Sequence, residues 1–128
     1  MFSSLFNDKP IYVKIFENKI EFKLCDSKNV VITKRAIEPF SSKRLLVGNF
    51  NVAEKLIVEG IKEISPNSIF IKSPKTLIHA IDKSEGGLSQ VEERTLRELA
   101  LVAGCRDVVV WCGKHLSDAE VEEIFDSK

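Results

Sequence analysis

At 128 residues, 44% of them hydrophobic and 30% charged, the chain fits one domain and can bury a core without metal or disulfide staples. Nineteen Lys and Arg balance nineteen Asp and Glu, which excludes a global field that would draw the chain to nucleic acid or an anionic membrane. Cys25, Cys105 and Cys112 are too few and too scattered for a disulfide framework or a Cys-x-x-Cys metal site, and no run reaches the ~18 apolar residues of a membrane span. The start, MFSSLFNDK, lacks the basic region and apolar core of a signal peptide, so a reducing cytoplasm is the expected address.

The first elements alternate. Ile11, Val13 and Ile15 alternate with Tyr12, Lys14 and Phe16, and after a turn at Glu17-Asn18-Lys19 the residues Ile20, Phe22 and Leu24 alternate with Glu21, Lys23 and Cys25. Two such runs across a short polar turn predict a β-hairpin. Asp26 to Asn29 forms a second turn by residue type, and Val30 to Thr33 opens a third strand. Lys34 to Gly48 holds no period and contains Pro39, Ser41 and Ser42, so it reads as loop, with Arg44 to Val47 as a strand extension. Helical periodicity then begins behind Asn51 as cap, with Val52, Leu56, Ile57, Ile61 and Ile64 on one face; Pro66 and Asn67 end it. Ser68 to Ile71 is an apolar patch of undecided type. Thr76 to Ile81 leaves almost no solvent face and predicts a buried strand. Ser89 and Glu92 form a Ser-x-x-Glu capping box for a second helix that stops at Gly104, and Val108 to Trp111 predicts a strand covered on both faces. Ser117 and Glu120 repeat the box for a third helix, with Val121, Ile124 and Phe125 inside.

The order β-β-β-α-β-α-β-α predicts an α/β fold with a mixed five-stranded sheet and helices on both faces. Right-handed crossovers put the first strand beside the fourth and give the order 3-2-1-4-5, with any ligand site at the strand ends near that switch point. This arrangement resembles the ribonuclease H-like fold, which is also the core of each actin-type ATPase lobe. The segments FSSLFNDKPIYVKI, GNFNVAEKLIVEGI and KTLIHAI, and above all QVEERTLRELALVAGCRDVVV, further resemble the first lobe of the bacterial actin MreB, the rod shape-determining family. The resemblance covers nearly the whole chain and implies a single actin-lobe-like domain, residues 1–128, with only a short linker, Ser42 to Gly48, where the family carries an extra subdomain.

Departures from that family decide the expected activity. The family's Asp-Leu-Gly-Thr-Ala-Asn phosphate loop is replaced by VKIFENKIEF, which has no glycine, and its Glu-Glu-Pro after the fifth strand by Cys112-Gly113-Lys114. Glu92 matches the glutamate that positions attacking water in the family, and is also the capping glutamate of its own helix. Gly86 and Gly87, ahead of a helix N-terminus, suit either an anion site or a plain strand-to-helix loop. A ribonuclease H-type nuclease needs carboxylates converging on two metals from the first strand onward; that strand offers Lys14, with Asp82, Glu85 and Asp107 elsewhere. His79 reads as a hydrogen-bonded core histidine, Trp111 as core packing, and His115 with Cys112 as too few ligands for zinc. Lys34, Arg35, Lys43 and Arg44 form a loose basic loop, read as solvated surface or a contact for an acidic partner. Met1, Phe2, Leu5 and Phe6 form a short apolar stripe that would hold a membrane weakly and suits folding back onto the domain or a partner better. The expectation is a non-catalytic interaction module without cofactor or metal, acting on a protein partner or a second copy of itself. The alternative is an ATP-binding protein or ATPase that completes its site by oligomerising, with Glu92, Gly86 and Gly87 as its remnants.

Overall fold

Strand alternation sorts the side chains of the hairpin onto two faces, and everything else packs according to that sorting. The computed structural model describes residues 9–26, 28–65 and 74–128. Strands β1 (Ile11–Phe16), β2 (Lys19–Leu24) and β3 (Val31–Arg35) are followed by helix α1 (Phe50–Ile64), strand β4 (Thr76–Ala80), helix α2 (Gln90–Val102), strand β5 (Val108–Cys112) and helix α3 (Asp118–Asp126). They form one sheet of order β3-β2-β1-β4-β5. β1–β2 and β2–β3 are antiparallel, whereas β1–β4 and β4–β5 are parallel, with Ile11 beside Thr76 and Thr76 beside Val108. The strand order is the one the crossover rule predicts.

Ile11, Val13, Ile15, Ile20, Phe22, Ile78 and Ala80 share the larger core with Ala53, Ile57 and Ile61 of α1 and Leu96, Leu99 and Ala100 of α2. Tyr12, Cys25 and Leu77 face the other way and pack under Leu116, Val121 and Phe125 of the α3 region. Of the described helices, α1 and α2 therefore cover one face and α3 part of the other. Gly60 lets α1 lie close to the sheet, since a Cβ there would sit 2.1 Å from two ring carbons of Phe22.

Several boundaries differ from expectation. The cap of α1 is Asn49, whose side chain accepts from the Val52 N–H, rather than Asn51. The loop geometry decides between the two asparagines, because the N–H groups of Gly48 and Asn49 both donate to the Phe40 carbonyl and fix where the helix can start. Arg44 to Val47 is not a strand; Ser42 and Leu45 instead bond to each other within the loop. The third strand runs Val31–Arg35, two residues beyond the predicted end, and Ile81 lies just past β4. Both capping boxes form, at Ser89/Glu92 and Ser117/Glu120. The predicted stop at Pro66 and Asn67, the patch Ser68 to Ile71, and the stripe of Met1, Phe2, Leu5 and Phe6 lie outside the described residues. No described helix is long and apolar enough to cross a membrane.

Candidate functional site

The switch point between β1 and β4 lies where the β1–β2 turn, the end of β4 and the loop after β3 meet. Asn18 occupies that turn with φ of 56°, a left-handed conformation that asparagine tolerates better than most residues. Its side-chain oxygen accepts from the N–H groups of Phe40 (2.9 Å) and Ser41 (2.8 Å), and its own N–H donates to Ser41 Oγ at 3.0 Å. The neighbouring Glu17 N–H donates to the Asp82 carboxylate at 2.8 Å. Both N–H groups of the turn are therefore held by the chain's own oxygens. Lys83 adds a 3.8 Å ion pair to Glu17 and donates to the Lys43 carbonyl.

Beyond Asp82 the chain passes through Gly86 and Gly87, both exposed and at positive φ, with open space around each. The Gly87 N–H closes a turn on the Ser84 carbonyl. Glu92 accepts from the Ser89 N–H at 2.9 Å, and its own N–H donates to Ser89 Oγ, so its carboxylate is engaged at the helix start. Beside it runs a small apolar groove between the loop and the first turns of α2, with Leu45, Val47, Leu88, Val91 and Leu96 among its lining. Val91 is 74% exposed there and Leu45 45%.

A second polar cluster lies under α3. The Leu116 N–H donates to the Tyr12 hydroxyl at 3.1 Å, and the hydroxyl lies 2.7 Å from His79 Nδ1. His79 Nε2 is 3.1 Å from the Gly113 carbonyl, which only accepts, so Nε2 carries the proton and Nδ1 accepts from Tyr12. The imidazole is neutral, fully buried and saturated. Burial holds its pKa below the usual histidine value, opposed by the Gly113 bond, while His115 and Lys14 push it further down. Burial likewise raises the Tyr12 phenol, and pushes the Cys25 thiol up to about 12. On the surface, Lys114 and the Ser117 backbone hold the Glu120 carboxyl down at about 2.

With this geometry in hand, comparison with known proteins adds one relative. No protein-family model matches the chain. It is 38% identical over 99 residues to the uncharacterized protein YjaA of Escherichia coli strain K12, covering 73% of this chain and 74% of that protein. The chain belongs to the YjaA family.

In this YjaA-family chain the residues singled out from sequence do not converge. Glu92, Gly86 and Gly87 share the segment after β4, but the Glu92 carboxylate serves the helix cap and Gly87 serves a turn. Asp107 passes its carbonyl to Thr76 at the start of β4, whereas Asp82 lies beyond that strand's end. Among the described residues no group of three or more His, Cys, Asp or Glu side chains is placed to hold a metal. Trp111 is half-buried and donates to the Lys114 carbonyl. Of the basic loop, Lys34 is paired to Glu63. His79 is the hydrogen-bonded core histidine that its strand predicts; its partner Tyr12 and the partners of Asn18 escape a sequence reading, because they lie far along the chain.

Proposed function

We propose that the chain is a ribonuclease H-like domain of the actin-lobe type, similar to the first lobe of MreB, that works in the cytoplasm by protein–protein contact and has no catalytic role. Cell-shape or related cytoskeletal machinery is the setting that resemblance implies. One observation carries the non-catalytic reading: the β1–β2 turn, where such a lobe would wrap its backbone N–H groups around a phosphate, has them bonded to Asp82 and Ser41 instead. A carboxylate of the protein stands where an anionic ligand would have to enter. The sheet order β3-β2-β1-β4-β5 supports the fold assignment. Exposed apolar side chains at Leu45 and Val91, flanking one groove, support a docking role.

The test is a thermal-shift titration with ATP and magnesium beside light scattering. A ligand at 100 times its Kd stabilises a fold by ~2.7 kcal/mol, several degrees for a domain of this size. The expected outcome is no shift at millimolar ATP. A saturable shift that survives in the folded Glu92→Gln variant would instead establish nucleotide binding and overturn the non-catalytic reading.

A further inference from the structure

Among the described residues the sheet has two edges without a neighbouring strand, β3 and β5, and they differ. β3 carries Lys34 and Arg35, with Lys34 turned to Glu63 on the helix side; charges on and under an edge are a common guard against strand addition. β5 reads Val-Val-Val-Trp-Cys, without charge, proline or glycine. Although helices lie on both faces of the sheet, Val109, Val110, Trp111 and Cys112 are only partly buried.

The hydrogen bonds show which backbone groups of β5 are free. Asp107 gives its carbonyl to Thr76, so it faces β4. Since the backbone groups of successive strand residues point to opposite edges, Val108, Val110 and Cys112 point away from β4. Arg97 confirms this, because it reaches from α2 around the edge to donate to the Val108 carbonyl at 2.8 Å. Among the described residues, what remains on the open edge is the N–H of Val108 and the N–H and C=O of Val110 and of Cys112.

We propose that β5 pairs antiparallel with β5 of a second copy, about a two-fold axis at Trp111, to make one continuous sheet through the dimer. In this register Val110 of each copy lies opposite Cys112 of the other, and each such pair exchanges both N–H···O bonds. The pairing uses the outward groups that Arg97 leaves open. Trp111 faces its own symmetry mate across the axis, in the closer, non-hydrogen-bonded kind of pair where aromatic side chains gain most. Beyond the strand, Asp107 lies opposite His115. The alternative register, with Val110 on the axis, would need the carbonyl that Arg97 already holds and would set Arg106 opposite Lys114. A second copy suits the edge because a two-fold interface is self-complementary. The inference rests on the β5 edge and does not depend on the actin-lobe reading.

The full chain is tested by light scattering over a concentration series, with emission from Trp111, the sole tryptophan. The expected mass on concentrating is that of two 14.4 kDa copies, with a shift in emission over the same range. Val110→Pro removes an outward N–H that β4 does not use, a position where an edge strand tolerates proline; it should be monomeric with unchanged circular dichroism. Independently, Val110→Cys places a thiol opposite Cys112 of the other copy, at a Cα separation of about 5.5 Å, within disulfide reach. Mild oxidation should then give a covalent dimer linked 110 to 112, which Cys112→Ser abolishes. A wild-type monomer at every concentration, or a dimer that lacks the 110–112 link, overturns the proposal. A dimer that persists in folded Val110→Pro does the same. If Val110→Pro does not fold, the cross-link decides.

Discussion

A single asparagine governs the end of the molecule where a ligand site was expected. Asn18 accepts the backbone N–H groups of Phe40 and Ser41 and so ties the fourteen-residue connection between β3 and α1 to the β1–β2 turn. Phe40, fully buried, is delivered to the core by those bonds. Replacing Asn18 with Gly keeps the positive φ accessible but leaves two partly buried N–H groups without their acceptor. At about 1 kcal/mol for each bond, Asn18→Gly should lower the unfolding free energy by about 2 kcal/mol. Asn18→Ala should cost more, since it adds the strain of a left-handed alanine. Urea denaturation of the two variants separates the terms; equal stability of Asn18→Gly and wild type would show that the tie is not needed. The residue was visible in the sequence as a turn former, but its partners, more than twenty positions on, were not.

At the level of elements, legibility follows the range of the signal. The capping boxes of α2 and α3 lie within four residues, and both form where Ser89/Glu92 and Ser117/Glu120 predict them. The cap of α1 was misplaced because the choice between Asn49 and Asn51 is made by a carbonyl of Phe40 that the local sequence does not reveal. Gly60 is a similar case. An isolated glycine inside a helical pattern signals close approach without saying to what; here it is the ring of Phe22. Gly60→Ala should gain up to about 1 kcal/mol of helix propensity and lose more, because a Cβ at 2.1 Å from ring carbons must push α1 off the sheet. Overpacking of this kind costs about 1–3 kcal/mol, and the contact falls at its upper end. The expected net loss is about 1–2 kcal/mol by chemical denaturation, and a stabilised Gly60→Ala would mean that Phe22 turns aside freely.

On the scale of the whole molecule, the sheet order was readable because two alternating runs fix a hairpin and the handedness of crossovers leaves little choice for the strands that follow. What joins the two sides of that sheet was not. Tyr12 on β1, His79 on β4 and the Gly113–Leu116 link into α3 form one hydrogen-bonded chain that joins residues as far as 104 positions apart. The chain holds only while His79 is neutral, since Nδ1 must accept from Tyr12. Protonation would turn that acceptor into a donor facing a hydroxyl already engaged by Leu116, with the Lys14 ammonium over the Tyr12 ring and His115 beside the imidazole. The folded pKa is lowered, so the unfolded chain binds this proton more readily. The stabilisation is complete above the unfolded histidine value of about 6.5 and is lost as pH falls from there through the folded pKa. Toward high pH the sign reverses: Cys25, raised to about 12, and Tyr12, also raised, favour the fold until pH passes their unfolded values. With two histidines in the chain, imidazole NMR reads the acid limb directly. His79 should stay neutral, with the proton on Nε2, to a pH below the unfolded histidine value of about 6.5. As His79 finally titrates, amide exchange should quicken first at Gly113 to Leu116, where the bonded chain meets α3. Charging of His79 at the unfolded histidine value, or exchange that rises uniformly across the sheet, would show that this network does not couple β1 and β4 to the third helix.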